Sequence, residues 1–174
     1  MTTEEYTQQQ LAAQPIGYWT REAAHLVIGG LRTALAEEHL TQPHWWTLNH
    51  IARAPGTWTR EALTAKLAPF DDQHTDFEAL YADLTTRGWL TETDDHLTLT
   101  LTEAGEAGRL RAHDRNAKVH TRMREGIDDA TYAATIDTLR RLVANLGGNG
   151  DLPAKDTHLT RRSGTSGTRA PAAV

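Results

Sequence analysis

Residues 71–105, DDQHTDFEALYADLTTRGWLTETDDHLTLTLTEAG, change hydrophobic period twice within one short span, and few folds accept such a pattern. Phe77, Leu80, Tyr81 and Leu84 recur at the three- and four-residue steps of one helix face. Arg87-Gly88 stops that helix, because glycine accepts the left-handed backbone common at helix C-termini. Trp89 and Leu90 open a strand, and Thr93-Asp94-Asp95-His96 supplies turn-forming side chains. Leu97, Leu99 and Leu101 alternate with Thr98 and Thr100, the pattern of a half-buried return strand. Thr102-Glu103 then caps a further helix and places a carboxylate in its positive first turn. A helix that runs directly into a small hairpin is the winged half of a winged helix-turn-helix.

The flanking segments complete that unit. Residues 1–14 are polar and are expected to form a flexible N-terminus. From Pro15, the residues Ile16, Trp19, Ala23, Val27, Leu31, Ala34 and Leu35 step along one stripe of a helix reaching about Glu38. Such a helix is longer than one small domain needs, so it is expected to reach a second chain. Gly29-Gly30 lies inside it with no strand before it, which favours close helix packing or a bend over a phosphate loop. His44 to Ala54 and Arg60 to Leu67 read as two short helices, closed by Pro55-Gly56 and Pro69, and they supply the two helices before the one at Thr75 to Arg87. After the hairpin, a long charged helix is expected from Thr102 to about Glu125. A last one follows Asp128, with Tyr132, Ile136, Leu139, Val143 and Leu146 forming a seam for other helices. Residues 148–174 are rich in Gly, Thr, Ser, Ala and Arg with little to bury, and read as a disordered tail. The expected architecture is therefore mainly α, with the winged-helix domain and its long terminal helices over 15–147.

The 174 residues contain no cysteine, which removes disulfides, thiolate metal sites and cysteine nucleophiles. Ser163 and Ser166, the only serines, lie in the tail, and no paired carboxylates or phosphate loop occupy an expected cleft, so an enzyme is not expected. No cofactor is implied. His113 and His120 share a helix face, but seven residues place them about 10.5 Å apart, too far for one metal ion, so no metal site is expected. The acidic, polar N-terminus and the lack of a long apolar run point to a cytoplasmic protein without membrane attachment.

Four strings, in order, resemble the MarR family of winged-helix regulators over about residues 16–147. They are Trp45-Trp46-Thr47-Leu48, Leu84-Thr85-Thr86-Arg87-Gly88-Trp89-Leu90, Leu101-Thr102-Glu103-Ala104-Gly105 and Gly126-Ile127-Asp128-Asp129. The resemblance implies a homodimer joined through the first and last long helices. It also implies double-stranded DNA as a partner and a ligand pocket between the dimer helices and the winged domain, hence a ligand-responsive transcriptional regulator. For DNA, the candidates are Gln73, His74 and Thr75 at the start of the reading helix, together with Arg87 and His96. For an aromatic small-molecule ligand they are Trp19, Trp45, Trp46 and His50, since aromatic walls with a few polar groups suit such a molecule.

One departure from the family pattern bears on function. The wing lacks the family's two arginines and reads Glu92-Thr93-Asp94-Asp95-His96 instead. Across residues 71–96 the eight acids Asp71, Asp72, Asp76, Glu78, Asp83, Glu92, Asp94 and Asp95 meet Arg87 alone, an excess of seven negative charges. DNA affinity rests largely on phosphate neutralisation. The alternative expectation is thus a winged-helix scaffold that has lost sequence-specific DNA binding and serves a small molecule or protein partner. The basic residues Arg109, Arg111, Arg115, Lys118, Arg122 and Arg124 gather on the helix after the wing, where a solvated face pairing with the acidic segments of the partner chain is expected in preference to one that flanks DNA or an anionic ligand.

Overall fold

A computed structural model of the chain describes residues 5–93 and 97–152, arranged as two units, Met1–Glu125 and Gly126–Val174. The first unit holds the helix-hairpin-helix expected from the sequence. It begins with a feature the sequence reading placed in a flexible terminus: α1, Gln8–Ala12, a single exposed turn closed by a capping box between Thr7 and Gln10. Two reciprocal polar contacts suffice for one turn there, although none of its residues is buried.

Helix α2, Ile16–Ala36, is about 32 Å long and buries only Ala34 and Leu35 near its C-terminal end. His39 ends the segment in a left-handed conformation (φ 55°), and the Leu40 N–H returns to the Leu35 carbonyl at 3.0 Å. Helix α3, Gln42–Arg53, has Pro43 in its first turn and buries Pro43, Thr47, Leu48 and Ile51. Helix α4, Arg60–Leu67, starts where the Thr59 hydroxyl accepts the Ala62 N–H, and it runs into a 3₁₀ turn at Ala68–Phe70.

Helix α5, Phe77–Thr86, buries Phe77, Leu80, Tyr81 and Leu84, the four positions that its periodicity singled out. Its start differs from the expected Thr75. The Asp71 carboxylate captures the Gln73 and Thr75 N–H groups, a local competitor of helical bonding, so the helix waits until Asp76 caps the Ala79 N–H. Gly88 (φ 68°) then turns the chain, and the Trp89 N–H bonds the Leu84 carbonyl at 2.9 Å.

Strand β1, Leu90–Glu92, pairs antiparallel with β2, Leu99–Leu101, in the register Leu90 with Leu101 and Glu92 with Leu99. Leu97 is not part of the half-buried strand, contrary to its place in the alternation. It is 64% exposed with φ 50°, because Thr93 closes the hairpin by exchanging hydrogen bonds with Thr98 and leaves Leu97 outside. The loop before α4 adds a bridge the sequence did not announce: Thr59 pairs with Thr98, and the Leu99 N–H donates to the Trp58 carbonyl at 2.7 Å.

Helix α6, Glu103–Met123, is capped by Thr102, whose hydroxyl accepts the Gly105 N–H and donates to the Gly88 carbonyl at 2.6 Å. Its buried residues are small: Gly105, Gly108, Ala112 and Asn116. The two glycines form the notch that receives Trp89. A Cβ at Gly105 would overlap the Trp89 carbonyl, and one at Gly108 would overlap its indole ring. Further along, a Cβ at Gly30 of α2 would sit 3.3 Å from a methyl of Val119, so close helix packing explains the second glycine of the Gly29-Gly30 pair. The core joins Leu35, Leu40, Leu48, Ile51, Leu63, Leu84, Leu90, Leu99 and their neighbours, each contributing on the order of 2 kcal/mol by burial.

In the second unit, Gly126 (φ 75°) precedes α7, Asp129–Asn145, which is capped by Asp128 on the Thr131 N–H and ended by Gly147 (φ 85°). No residue of α7 is buried, and the expected seam residues Ile136, Val143 and Leu146 are exposed. Among the described residues, no helix is long and apolar enough to cross a membrane.

Candidate functional site

The solvent side of α5 carries Glu78, Ala79, Ala82, Thr85 and Thr86, all exposed, with the wing beside it. Of the sequence-selected DNA candidates, Gln73 and His74 are exposed in the loop before α5, where His74 has φ 54°. Thr75 is half-buried and held by Asp71 through its N–H and its hydroxyl. Burial opposes ionisation of Asp71, but the Thr75 and Gln73 N–H groups outweigh it and hold the carboxyl below its ordinary range. Arg87 pairs with Asp83 at 2.8 Å and lies over the Trp89 ring. His96 lies outside the described residues, as do Asp94 and Asp95.

The acidic excess is smaller in space than along the chain. Arg32 of α2 clasps Asp72, with one nitrogen 2.6 and 2.9 Å from its two oxygens. Arg60, the first residue of α4, is held by both oxygens of Glu92 at 3.0 and 3.1 Å and by Glu78 at 3.3 Å. Together they lower the formal sum for residues 71–96 from seven negative charges to five, two of which, Asp94 and Asp95, lie outside the described residues. Sequence reasoning missed both arginines because they lie far from the acids along the chain. Asp83 also faces His44, whose Nε2 is 3.4 Å away without the alignment of a hydrogen bond, while His44 Nδ1 accepts the Thr41 N–H. Burial holds the His44 imidazole below its ordinary pKa, with Arg87 adding to that and Asp83 opposing it.

A second feature lies where α2, α3 and α6 meet. A hollow of about 440 Å³ is lined by Leu31, Leu35, Gln42, Trp45, Trp46, His113, Asn116, Ala117 and His120. The structure thus brings Trp45 and Trp46 together at a cavity whose volume suits a small ligand. The other two ligand candidates lie elsewhere. Trp19 is 53% exposed beside Tyr18 on the outer part of α2, and His50 bonds the Trp46 carbonyl and packs edge-on against Trp58. His113, Asn116, Ala117 and His120 follow i, i+3, i+4 and i+7 spacing, so the shared face of the two histidines was a legible signal for a wall of this hollow. Among the described residues, no group of three or more His, Asp and Glu is placed to hold a metal ion.

The basic face of α6 is largely engaged. Arg111 and Arg115 hold Glu38 at 2.9 and 2.7 Å, Arg115 also binds Glu37, and Arg109 pairs with Glu106 and donates to Asn49. The hydrogen bonds from Arg111 and then Arg115 hold the Glu38 carboxyl below the ordinary carboxylate value.

These features define a winged helix-turn-helix domain carried on a long helix and followed by another. The fold is that of the MarR family of transcriptional regulators, shown by three solved structures. The PcaV transcriptional regulator of Streptomyces coelicolor superimposes with a TM-score of 0.63 at 20% identity, covering 77% of this chain and 98% of that one. A MarR family protein of Mycobacterium tuberculosis in complex with DNA gives 0.57 at 21% identity, covering 78% and 99%. CouR of Rhodococcus jostii RHA1, bound to p-coumaroyl-CoA, gives 0.57 at 22% identity, covering 75% and 92%. The sequence itself matches no family model and no curated protein.

Proposed function

We propose that the protein is a dimeric, ligand-responsive, DNA-binding transcriptional regulator of the MarR type that acts in the cytoplasm. The observation that carries this reading is the exposed face of α5 set beside a hairpin wing, in a fold shared with a regulator solved on DNA. In the proposal α5 lies in the major groove, with Gln73, His74 and Thr75 at its N-terminal approach and Arg87 toward the wing, and His96, outside the described residues, is proposed as a further DNA contact. Glutamine and histidine have the donor and acceptor groups to read base edges. Two copies join through the uncovered apolar residues of α7 and the outer part of α2, where Ile16, Tyr18, Trp19 and Leu26 are exposed. The Trp45–Trp46 hollow receives the effector, supported by its volume and by the ligand-bound state of a structural relative. No enzymatic role is proposed; the similar structures are those of regulators.

The test is fluorescence anisotropy with a duplex from the region upstream of the protein's own gene, against a shuffled duplex at low salt. Preferential binding by a folded dimer is expected, and equal binding to both duplexes would sink the proposal. A second reading is favoured by one observation: among the described residues, the six acids Asp71, Asp72, Asp76, Glu78, Asp83 and Glu92 around α5 and the wing still outnumber Arg32, Arg60 and Arg87. In it the scaffold has given up DNA and acts through its ligand or a protein partner. Absence of DNA binding together with retained ligand binding would select it.

A further inference from the structure

We propose that Arg32 is a positioning residue for DNA recognition: from the anchored end of α2 it braces the turn before α5 and holds Gln73 and His74 in place before DNA arrives. This rests on reading α5 and its approach as the base-reading element.

The turn is a segment that needs a brace. Between Leu67 and Phe77 no residue is buried, so apolar packing does not fix the stretch that carries Gln73 and His74. His74 has φ 54°, a left-handed backbone that is costly for any residue but glycine. Its two neighbours hold it there, because the Gln73 and Thr75 N–H groups both donate to the Asp71 carboxylate, at 3.2 and 2.5 Å. A clip internal to the turn sets its shape but cannot by itself set its place on the domain.

Arg32 supplies the place. It stands two residues before Ala34, which with Leu35 is buried at the inner end of α2, so its backbone is anchored in the core. Its guanidinium reaches Asp72, the residue after the clip, with one nitrogen 2.6 and 2.9 Å from the two carboxylate oxygens. Its Nε donates at 2.9 Å to the Gln42 side-chain oxygen at the start of α3, and this second partner fixes the orientation of the planar fork. One side chain thus ties together three segments that lie 10 and 40 residues from one another along the chain, with a charge-assisted bond as the link to the turn.

Preorganisation of this kind tells on specific binding. Phosphate neutralisation drives non-specific binding whatever the register, whereas contacts to base edges need Gln73 and His74 already placed. A loosened turn has to be ordered at each encounter, and that entropy is taken from the affinity for the correct duplex.

The experiment measures anisotropy of the full chain on the duplex from upstream of its own gene and on a shuffled duplex, for wild type, Asp72→Ala, Arg32→Ala and the double variant. Asp72→Ala removes a negative charge. Acting through charge alone, Asp72 would weaken both duplexes alike, so its loss would tighten both and leave the preference unchanged. As the foot of a brace, its loss should lower the preference about tenfold, Arg32→Ala should do the same, and the double variant should fall no further, since both changes remove one contact. Hydrogen exchange of the Gln73 and Thr75 amides, read by NMR without DNA, should quicken about fivefold in each single variant while melting stays cooperative. Asp72→Ala, at an exposed position, decides the matter if Arg32→Ala does not fold. A preference that Asp72→Ala leaves unchanged overturns the proposal and keeps α5 as the reader. Exchange at Gln73 and Thr75 that stays at the wild-type rate in Asp72→Ala overturns it as well. If the wild type itself shows no preference between the duplexes, the reading of α5 falls and the proposal falls with it.

Discussion

Releasing Arg60 from its acidic clamp should strengthen DNA binding. Its guanidinium is shared by Glu92 and Glu78 at 3.0–3.3 Å, at the junction of α4, α5 and the wing, where a phosphate would otherwise be its natural partner. In the double variant Glu78→Gln, Glu92→Gln, two negative charges leave the contact surface. For an assumed separation of about 8 Å from a phosphate, each would contribute repulsion of roughly 0.5 kcal/mol in a water-like dielectric, about 1 kcal/mol together. Arg60 also becomes available for one phosphate contact, which adds about 0.9 to the slope of log affinity against log salt. The expected result is affinity about tenfold higher at low salt, with a steeper salt slope. The cost to folding is small, since exposed ion pairs contribute about 0–1 kcal/mol. Anisotropy titrations at several salt concentrations read both quantities, and adding Arg60→Ala to the double variant should remove the gain in slope. Tight wild-type binding that the replacements leave unchanged in affinity and slope would refute the argument that these acids weaken DNA contact.

Further predictions concern the frame around that surface. Gly105→Ala and Gly108→Ala push a methyl into the backbone and the ring of Trp89, and each should destabilise the fold by about 2–3 kcal/mol in denaturant unfolding, because the notch admits no side chain. Glu38→Gln should cost about 1 kcal/mol at neutral pH, less in high salt. Because the folded-state pKa of Glu38 is depressed by Arg111 and Arg115, its contribution is present above the unfolded carboxylate pKa and disappears as pH falls through the folded value. Wild type and variant melts should therefore converge in acid. Ile136→Glu with Val143→Glu, both on the exposed seam of α7, should shift the protein from dimer to monomer in sedimentation velocity without loss of helicity by circular dichroism.

The fold was legible where a single period ruled. Phe77, Leu80, Tyr81 and Leu84 are buried as their spacing requires, and Thr59, Thr102 and Asp128 cap the helices expected after them. The failures occur where side chains compete with the backbone or where the contact is remote. Asp71 delays α5 by capturing Thr75, and Thr93 closes the hairpin so that Leu97 drops out of its alternation. In the candidate site, Trp45, Trp46 and the histidine face of α6 could be selected from spacing, but their meeting at one hollow is a tertiary fact. The same holds for Arg32 and Arg60, which neutralise acids 40 and 18–32 residues away along the chain. A charge sum over a segment omits such partners, so it overstated the repulsion of the wing.

The measurement that tests the central claim most directly is footprinting of the folded protein on the DNA upstream of its gene, at low salt, with its oligomeric state measured in parallel. A dimer reading one half-site with each α5 predicts a protected, two-fold symmetric site whose halves are about one helical turn, roughly 34–36 Å, apart. A folded dimer that protects no site there, and binds shuffled DNA equally well, would contradict it.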